Sequence, residues 1–269
     1  MSNLVSRLLV GLFGLPLVLG LVWLGHWWLF ALVLAAALVA VHEFVQMTRP
    51  LRPLAPALYL GVALGLSAAQ TGGAVWMLGG VLSTFVLAFG AAVLAKTRAP
   101  ATVAIGATVL GASWIAFGLG HLLLIRQFPD HGRLVTFAVL LTVWAADTFA
   151  YFGGRLLGRH KMAPTLSPGK TWEGFVIGSV AGVFVAFVTL YDTRHTYLAV
   201  WQALVLGLVV VLAAAIGDLF ESMLKRDMQV KDTGRLLGGH GGILDRVDAL
   251  LFAGPAAYYL LLGFGPTLH

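Results

Sequence analysis

The chain has 269 residues, of which 59% are hydrophobic and only 10% charged, with a mean hydropathy of +0.93. A soluble domain carries about 25% charged residues and could not cover its surface with so few, so the lipid bilayer is the solvent this composition fits. No Cys is present, which excludes disulfides and thiolate metal sites, and the excess of 17 Lys and Arg over 11 Asp and Glu reads as cytoplasmic loops and contacts to anionic lipid or phosphate rather than nucleic-acid binding.

Nine apolar runs are long enough to cross or nearly cross a bilayer, at about 8–24, 27–47, 54–70, 74–95, 101–125, 134–153, 174–191, 199–217 and 249–265. Arg7 precedes the first run, which holds Pro16 and is followed at once by the second, so it reads as a retained span and not a cleaved leader. Trp23, Trp27 and Trp28 suit an aromatic belt at the outer interface. His42 and Glu43 close the second run and read as structural, reaching toward the interface. Small residues recur at four-residue spacing at Gly61 and Gly65 and at Gly174, Gly178 and Gly182, which suits close helix packing within one chain ahead of a dimer seam.

The basic residues divide unevenly between the connectors. With the N-terminus on side one, that side holds Arg7, Arg49, Arg52, Lys96, Arg98, Arg155, Arg159, Lys161, Lys170, Lys225, Arg226, Lys231, Arg235 and Arg246. The other side holds only Arg126, Arg133 and Arg194. The positive-inside rule makes side one cytoplasmic and, with nine spans, sends the C-terminus out. The expected fold is thus an all-α integral membrane protein of about nine transmembrane helices. Residues 1–133 read as scaffold, and 134–269 as the catalytic region with cytoplasmic connectors at 154–173 and 218–248.

Those two connectors carry the chemistry. Asp147 sits near the cytoplasmic end of a span, where an acid is costly unless paired or functional, and is expected to face the interior. Arg155, Arg159, Lys161 and Lys170 offer phosphate donors, although positive-inside charge alone would account for any one of them. Gly169-Lys170-Thr171 mimics the end of a P-loop, but the first Gly of that motif would fall at Pro164. In the second connector, Asp218, Ser222 and Lys225 share a helix face with Glu221 beside them. Glycines 238, 239, 241 and 242 flank His240, and a helix starting near Ile243 would add its positive end to an anion-binding loop. Asp245 and Asp248 lie three residues apart at that helix start; read locally they complement the helix dipole. Beside phosphates they would repel, unless a divalent cation such as Mg²⁺ joins carboxylates to phosphate.

The stretch from Ser222 to Asp248, "SMLKRDMQVKDTGRLLGGHGGILDRVD", resembles the signature of the phosphatidate cytidylyltransferases, the CDP-diacylglycerol synthases. The fixed positions are met at Ser222, Lys225, Arg226, Lys231, Asp232, Gly234, Leu237, Gly238, His240, Gly241, Gly242, Asp245, Arg246 and Asp248. "DTFAYFGG" and "SPGKTWEG", which include Ser167, Lys170 and Thr171, resemble the family's second block; Gly238 replaces a common Pro and Gly169 a common basic residue. The resemblance implies a multi-span enzyme of the cytoplasmic membrane, a homodimer, that joins CTP to phosphatidate with Mg²⁺ and releases pyrophosphate; a second cation is left open. It implies metal binding at Asp218 and Asp245, to which Asp248 is added as support. The candidate catalytic set is Asp218, Ser222, Lys225, Arg226, Lys231, Asp232, Asp245, Arg246 and Asp248. The candidate substrate-binding set is Asp147, Arg155, Lys161, Ser167, Lys170, Thr171, Gly238, His240, Gly241 and Gly242. A CTP-dependent lipid kinase and a transporter are the rival readings. A transporter would spread polar residues at mid-depth through several spans, whereas here they gather at the cytoplasmic ends.

Overall fold

A computed structural model describes residues 14–95, 100–234 and 241–265. With no water in the hydrocarbon core to bond backbone N–H and C=O groups, helices are the form an apolar chain takes there. Helix α1 (Leu15–Leu24) opens with Pro16 in its first turn and stops at Gly25, whose φ of 67° breaks it from α2 (His26–Met47). Trp23, Trp27 and Trp28 flank this break and all are exposed, as an interfacial belt requires.

Helix α3 (Ala55–Ala95) is continuous but for Gly73, at φ 79° and ψ −164°. A Cβ placed on Gly61 would strike Thr84, one on Gly65 would meet Val81, and one on Gly80 would lie 2.8 Å from the Gly65 Cα. Contacts that run forward on one leg and backward on the other make α3 a helical hairpin folded at Gly73. Its two legs match the runs expected at 54–70 and 74–95. Helix α4 (Ala101–Arg126) follows, with one π-helical turn at Ser113–Phe117. Then come α5 (Gly132–Leu157), strands β1 (Lys161–Ala163) and β2 (Ser167–Thr171), α6 (Trp172–Leu190), α7 (Val200–Asp227) and α8 (Leu244–Gly263).

Among the described residues, six helices, α2 to α7, are long and apolar enough to cross a membrane. The chain is a multi-pass, helical membrane protein. Eight of the nine expected runs lie on described helices, and so does the later part of the first, whose residues 8–13 lie outside the described residues. The nine runs reduce to six candidates because α1 has only 10 residues, the α3 hairpin counts once, and α8, with Asp245, Arg246 and Asp248 at its start, does not qualify. Large apolar side chains such as Val75, Val86, Leu94, Val180 and Phe184 stand exposed along α3 and α6, as lipid-facing surfaces do.

The chain forms two compact units: residues 1–124 with 227–247, and residues 125–226 with 248–269. In the first unit Phe44 is fully buried, Trp114 meets it edge-on, and Gly111 leaves room for its ring. The Leu54 N–H donates to Thr108 Oγ1 at 2.8 Å, tying the start of α3 to α4. In the second unit α6 lies on α5 through its glycine stripe. A Cβ on Gly174 would lie 2.6 Å from the Ala150 carbonyl oxygen, and one on Gly178 would lie 2.5 Å from that of Ala146. Both glycine stripes are therefore used for packing inside one chain, as expected.

Two expectations are corrected. The connector 154–173 is not merely a loop in an all-α fold: β1 and β2 form an antiparallel ribbon pairing Lys161 with Thr171 and Ala163 with Ser167. Pro164, Pro168 and Gly169 deny this stretch a helix. Asp147 does not face the interior; it is exposed. Val139, Thr142, Val143, Ala146 and Gly153 form the buried face of α5, and Asp147 stands about 100° round the helix from Ala146.

Candidate active site

In the second unit, α7 carries its polar residues at the end of a long apolar run. Lys170, on β2, places its ammonium 2.6 Å from Asp218 Oδ2. One turn further, Glu221 is fully buried and accepts from Lys225 Nζ at 2.5 Å. Ser222 is buried on the same stretch. Asp248 comes from the start of α8, just ahead of its apolar run, and is only 8% exposed. Burial, with the Glu221 and Asp218 carboxylates as neighbours, holds its carboxyl well above the usual carboxylate range. Asp218, Glu221 and Asp248 thus gather on this end of the unit, with the Lys170 and Lys225 ammonium groups against the first two. A Cβ on Gly217 would lie 2.5 Å from the Asp248 carbonyl oxygen, so this glycine lets α7 and α8 approach at the acids.

The ribbon that delivers Lys170 is anchored at several points. Arg226 Nε donates to the Leu166 carbonyl at 3.1 Å, fixing its tip. Glu173 accepts from the Arg159 N–H at 3.1 Å, from the His160 N–H and from the His160 ring at 2.5 Å, fixing its entry. Thr171, expected to bind substrate, is buried and caps α6 by accepting the Gly174 N–H at 3.2 Å. Ser167 lies in the strand pairing; Arg155 and Lys161 are exposed, and Arg155 bonds Tyr151 at 3.1 Å.

In the first unit, Asp245 Oδ2 accepts three hydrogen bonds: from the Thr233 N–H at 3.0 Å, the Thr233 hydroxyl at 2.9 Å and the Gly242 N–H at 2.8 Å. The carboxylate is thereby fixed in orientation before any ligand arrives. Gly241 takes φ 77°, which favours glycine. The Ile243 and Leu244 N–H groups donate to Glu43 at 3.0 and 2.8 Å. The start of α8 is thus already occupied by protein carboxylates at three successive amides. The expectation that these amides are open to phosphate is corrected on that ground. Lys231, Asp232 and Arg246 are exposed. Gly238 and His240 lie outside the described residues.

The model of the cytidylyltransferase family matches residues 5–264. The chain belongs to this family. Among its curated relatives is a phosphatidate cytidylyltransferase of Mycobacterium bovis, 35% identical over 276 residues, covering 96% of this chain and 88% of the relative. Another, from Synechocystis, is 33% identical with 98% of each chain covered. A third, from Staphylococcus haemolyticus, is 31% identical over 95% of this chain and 98% of its own length.

A nucleotidyl-transferring family invites a test of whether these residues suit a divalent cation. Among the described residues no three His, Asp or Glu side chains stand in metal-holding geometry. Within the second unit, Asp218 and Asp248 are neighbouring carboxylates, and carboxylate oxygen is the donor type that a hard ion such as Mg²⁺ takes. The Lys170 ammonium against Asp218 shows that this carboxylate is placed to receive positive charge. Glu221 and Glu43 stand outside the candidate sets read from the sequence, and the expectation that Glu43 reaches toward the interface is corrected: it is buried, because its carboxylate is bonded to the Ile243 and Leu244 amides. Glu221 was signalled only by its place beside Asp218. Glu43 had no local signal, since its partners lie 200 and 201 residues away.

Proposed function

We infer that this chain transfers the cytidylyl group of CTP to phosphatidate, giving CDP-diacylglycerol and pyrophosphate. The observation that carries the reading is the family match along residues 5–264, joined by relatives of that activity aligned over nearly the whole chain. A phosphate oxygen of phosphatidate, already anionic at neutral pH, attacks the α-phosphorus of CTP. The new P–O bond forms as the bond to the β-phosphate oxygen breaks, and the electron pair leaves with pyrophosphate. No general base is required, because the nucleophile carries no proton that must be removed first.

The barrier is the approach of one polyanion to another. Lys170, Lys225, Arg226 and Lys231 supply positive charge for the phosphates, with Arg155 and Lys161 on the exposed side. Asp218, Asp245 and Asp248 would hold Mg²⁺, which when bound offsets triphosphate charge and polarises the α-phosphorus. With a divalent cation on Asp218, the Lys170 ammonium now paired with that carboxylate would be available to phosphate. The excess of basic connectors on side one supports an active site at the cytoplasmic face of the inner membrane, nine spans, a cytoplasmic N-terminus and an outer C-terminus. A homodimer is proposed from the family resemblance; the glycine stripes do not supply its seam.

The test is to incubate the purified full chain in mixed micelles with phosphatidate, Mg²⁺ and CTP labelled at either the α- or the γ-phosphorus. Label enters lipid from α-labelled CTP only. Lipid labelled from γ-labelled CTP alone identifies a lipid kinase, and no labelled lipid from either rejects both readings.

A further inference from the structure

Glu43 closes α2, in the half of the chain that reads as scaffold, yet it is only 4% exposed. Burying a carboxylate is costly unless its oxygens are bonded. Here Oε1 accepts the Ile243 N–H at 3.0 Å and Oε2 the Leu244 N–H at 2.8 Å. These are amides that a helix start leaves without intrahelical partners, and a negative charge there opposes the positive end of the helix. A capping side chain normally comes from the adjoining sequence as Ser, Thr, Asp or Asn. Before α8 the adjoining residues are Gly241, Gly242 and Ile243, none of which has a side chain that can accept a hydrogen bond.

The loop is shaped around this imported cap. A Cβ on Gly234 would lie 2.4 Å from Glu43 Oε1, and one on Gly242 would lie 2.4 Å from Oε2. Two glycines thus form a slot that the carboxylate fills. The preceding amide, that of Gly242, goes to Asp245 Oδ2, which also takes both donors of Thr233. Glu43 and Asp245 therefore share three successive amides. Any shift of the first two moves the Asp245 backbone one residue later.

We propose that Glu43 is a positioning residue for cytidylyl transfer, holding the start of α8 so that Asp245 stands in its working place. The proposal rests on the transfer reading above and adds a residue from the first half of the chain to it. Glu43 touches no reacting atom; it acts through Asp245 and the loop 241–244. Reactions of aligned groups are steep in geometry, and a displacement of about 1 Å can cost on the order of 100-fold in rate.

The experiment uses the full chain in micelles with two variants. Glu43→Gln keeps size but points an amide donor at one of the two N–H groups. Gly234→Ala keeps every charge and pushes the carboxylate from its slot. For each, hydrogen exchange of the peptide holding residues 241–245 is measured without substrate, alongside melting temperature, kcat and the KM for CTP. The expected result is faster exchange in that peptide, a kcat lowered about tenfold, a KM within about threefold, and a melting temperature close to the parent's. Glu43→Asp, with both acceptors kept on a shorter stem, should recover part of the kcat. Unchanged exchange, or a kcat within about threefold of the parent, overturns the proposal. If Glu43→Gln does not fold, Gly234→Ala decides by the same two readouts. A parent chain that transfers no α-label would defeat the transfer reading instead, while the exchange data would still report on the cap.

Discussion

Asp248 shows how one side chain changes meaning with its surroundings. As a residue three positions after Asp245 it is an ordinary helix-start acid. In the fold it is buried beside Glu221 and Asp218, and its carboxyl is held well above the usual carboxylate range. A carboxyl whose folded value is raised stays protonated over pH where a free one has ionised. Its neutral form favours the fold, and that contribution is lost as pH rises from about 4 toward the raised value. A divalent cation needs the ionised form, so binding must expel the proton. Mg²⁺ binding to the substrate-free chain should therefore release protons and tighten as pH rises. Calorimetry in two buffers of different ionisation enthalpy measures that release. It should vanish in Asp248→Asn; equal heats in both buffers for the parent would show that Asp248 does not link protons to the metal.

At the scale of elements, helices were readable because hydropathy alone states them: within the described residues, the apolar runs lie on helices of the structure. The fold-back of α3 at Gly73 was readable too, as a gap between two runs. The β1–β2 ribbon was not, since Lys161–Ala163 and Ser167–Thr171 are too short for an alternation signal. Asp147 was misread because an acid near a span end says nothing about which face its helix buries. The glycine stripe of α6 was read correctly, and it carries the next expectation. A Cβ on Gly178 would lie 2.5 Å from the Ala146 carbonyl oxygen and 2.7 Å from the Ala150 Cβ, so backbone would have to move. Gly178→Val should destabilise the α5–α6 pair by about 1–3 kcal/mol or more, seen as a lower melting temperature in detergent. Gly90→Val on α3, where a Cβ meets nothing within 4 Å, is the control and should melt with the parent.

For the whole molecule, the candidate residues of the second half were legible because they lie close together in sequence, in a stretch with little else polar. Glu43 was illegible because the bond that gives it a role closes a loop of 200 residues. The orientation rests on a different kind of evidence, the bias of Lys and Arg among connectors, and it can be checked residue by residue. The chain contains no Cys, so single cysteines report without background. Nine spans place the connector after α6 outside, the connector after α7 inside and the last residues outside. A membrane-impermeant maleimide should therefore label His195→Cys and Leu268→Cys in right-side-out vesicles and Asp227→Cys only in inverted ones. His195 and Asp227 are both exposed, so burial does not decide the outcome. Labelling of Leu268→Cys from the same side as Asp227→Cys would make the number of crossings after α7 even. The odd span count would then fall, while the cytoplasmic placing of the residue 218–248 connector would stand.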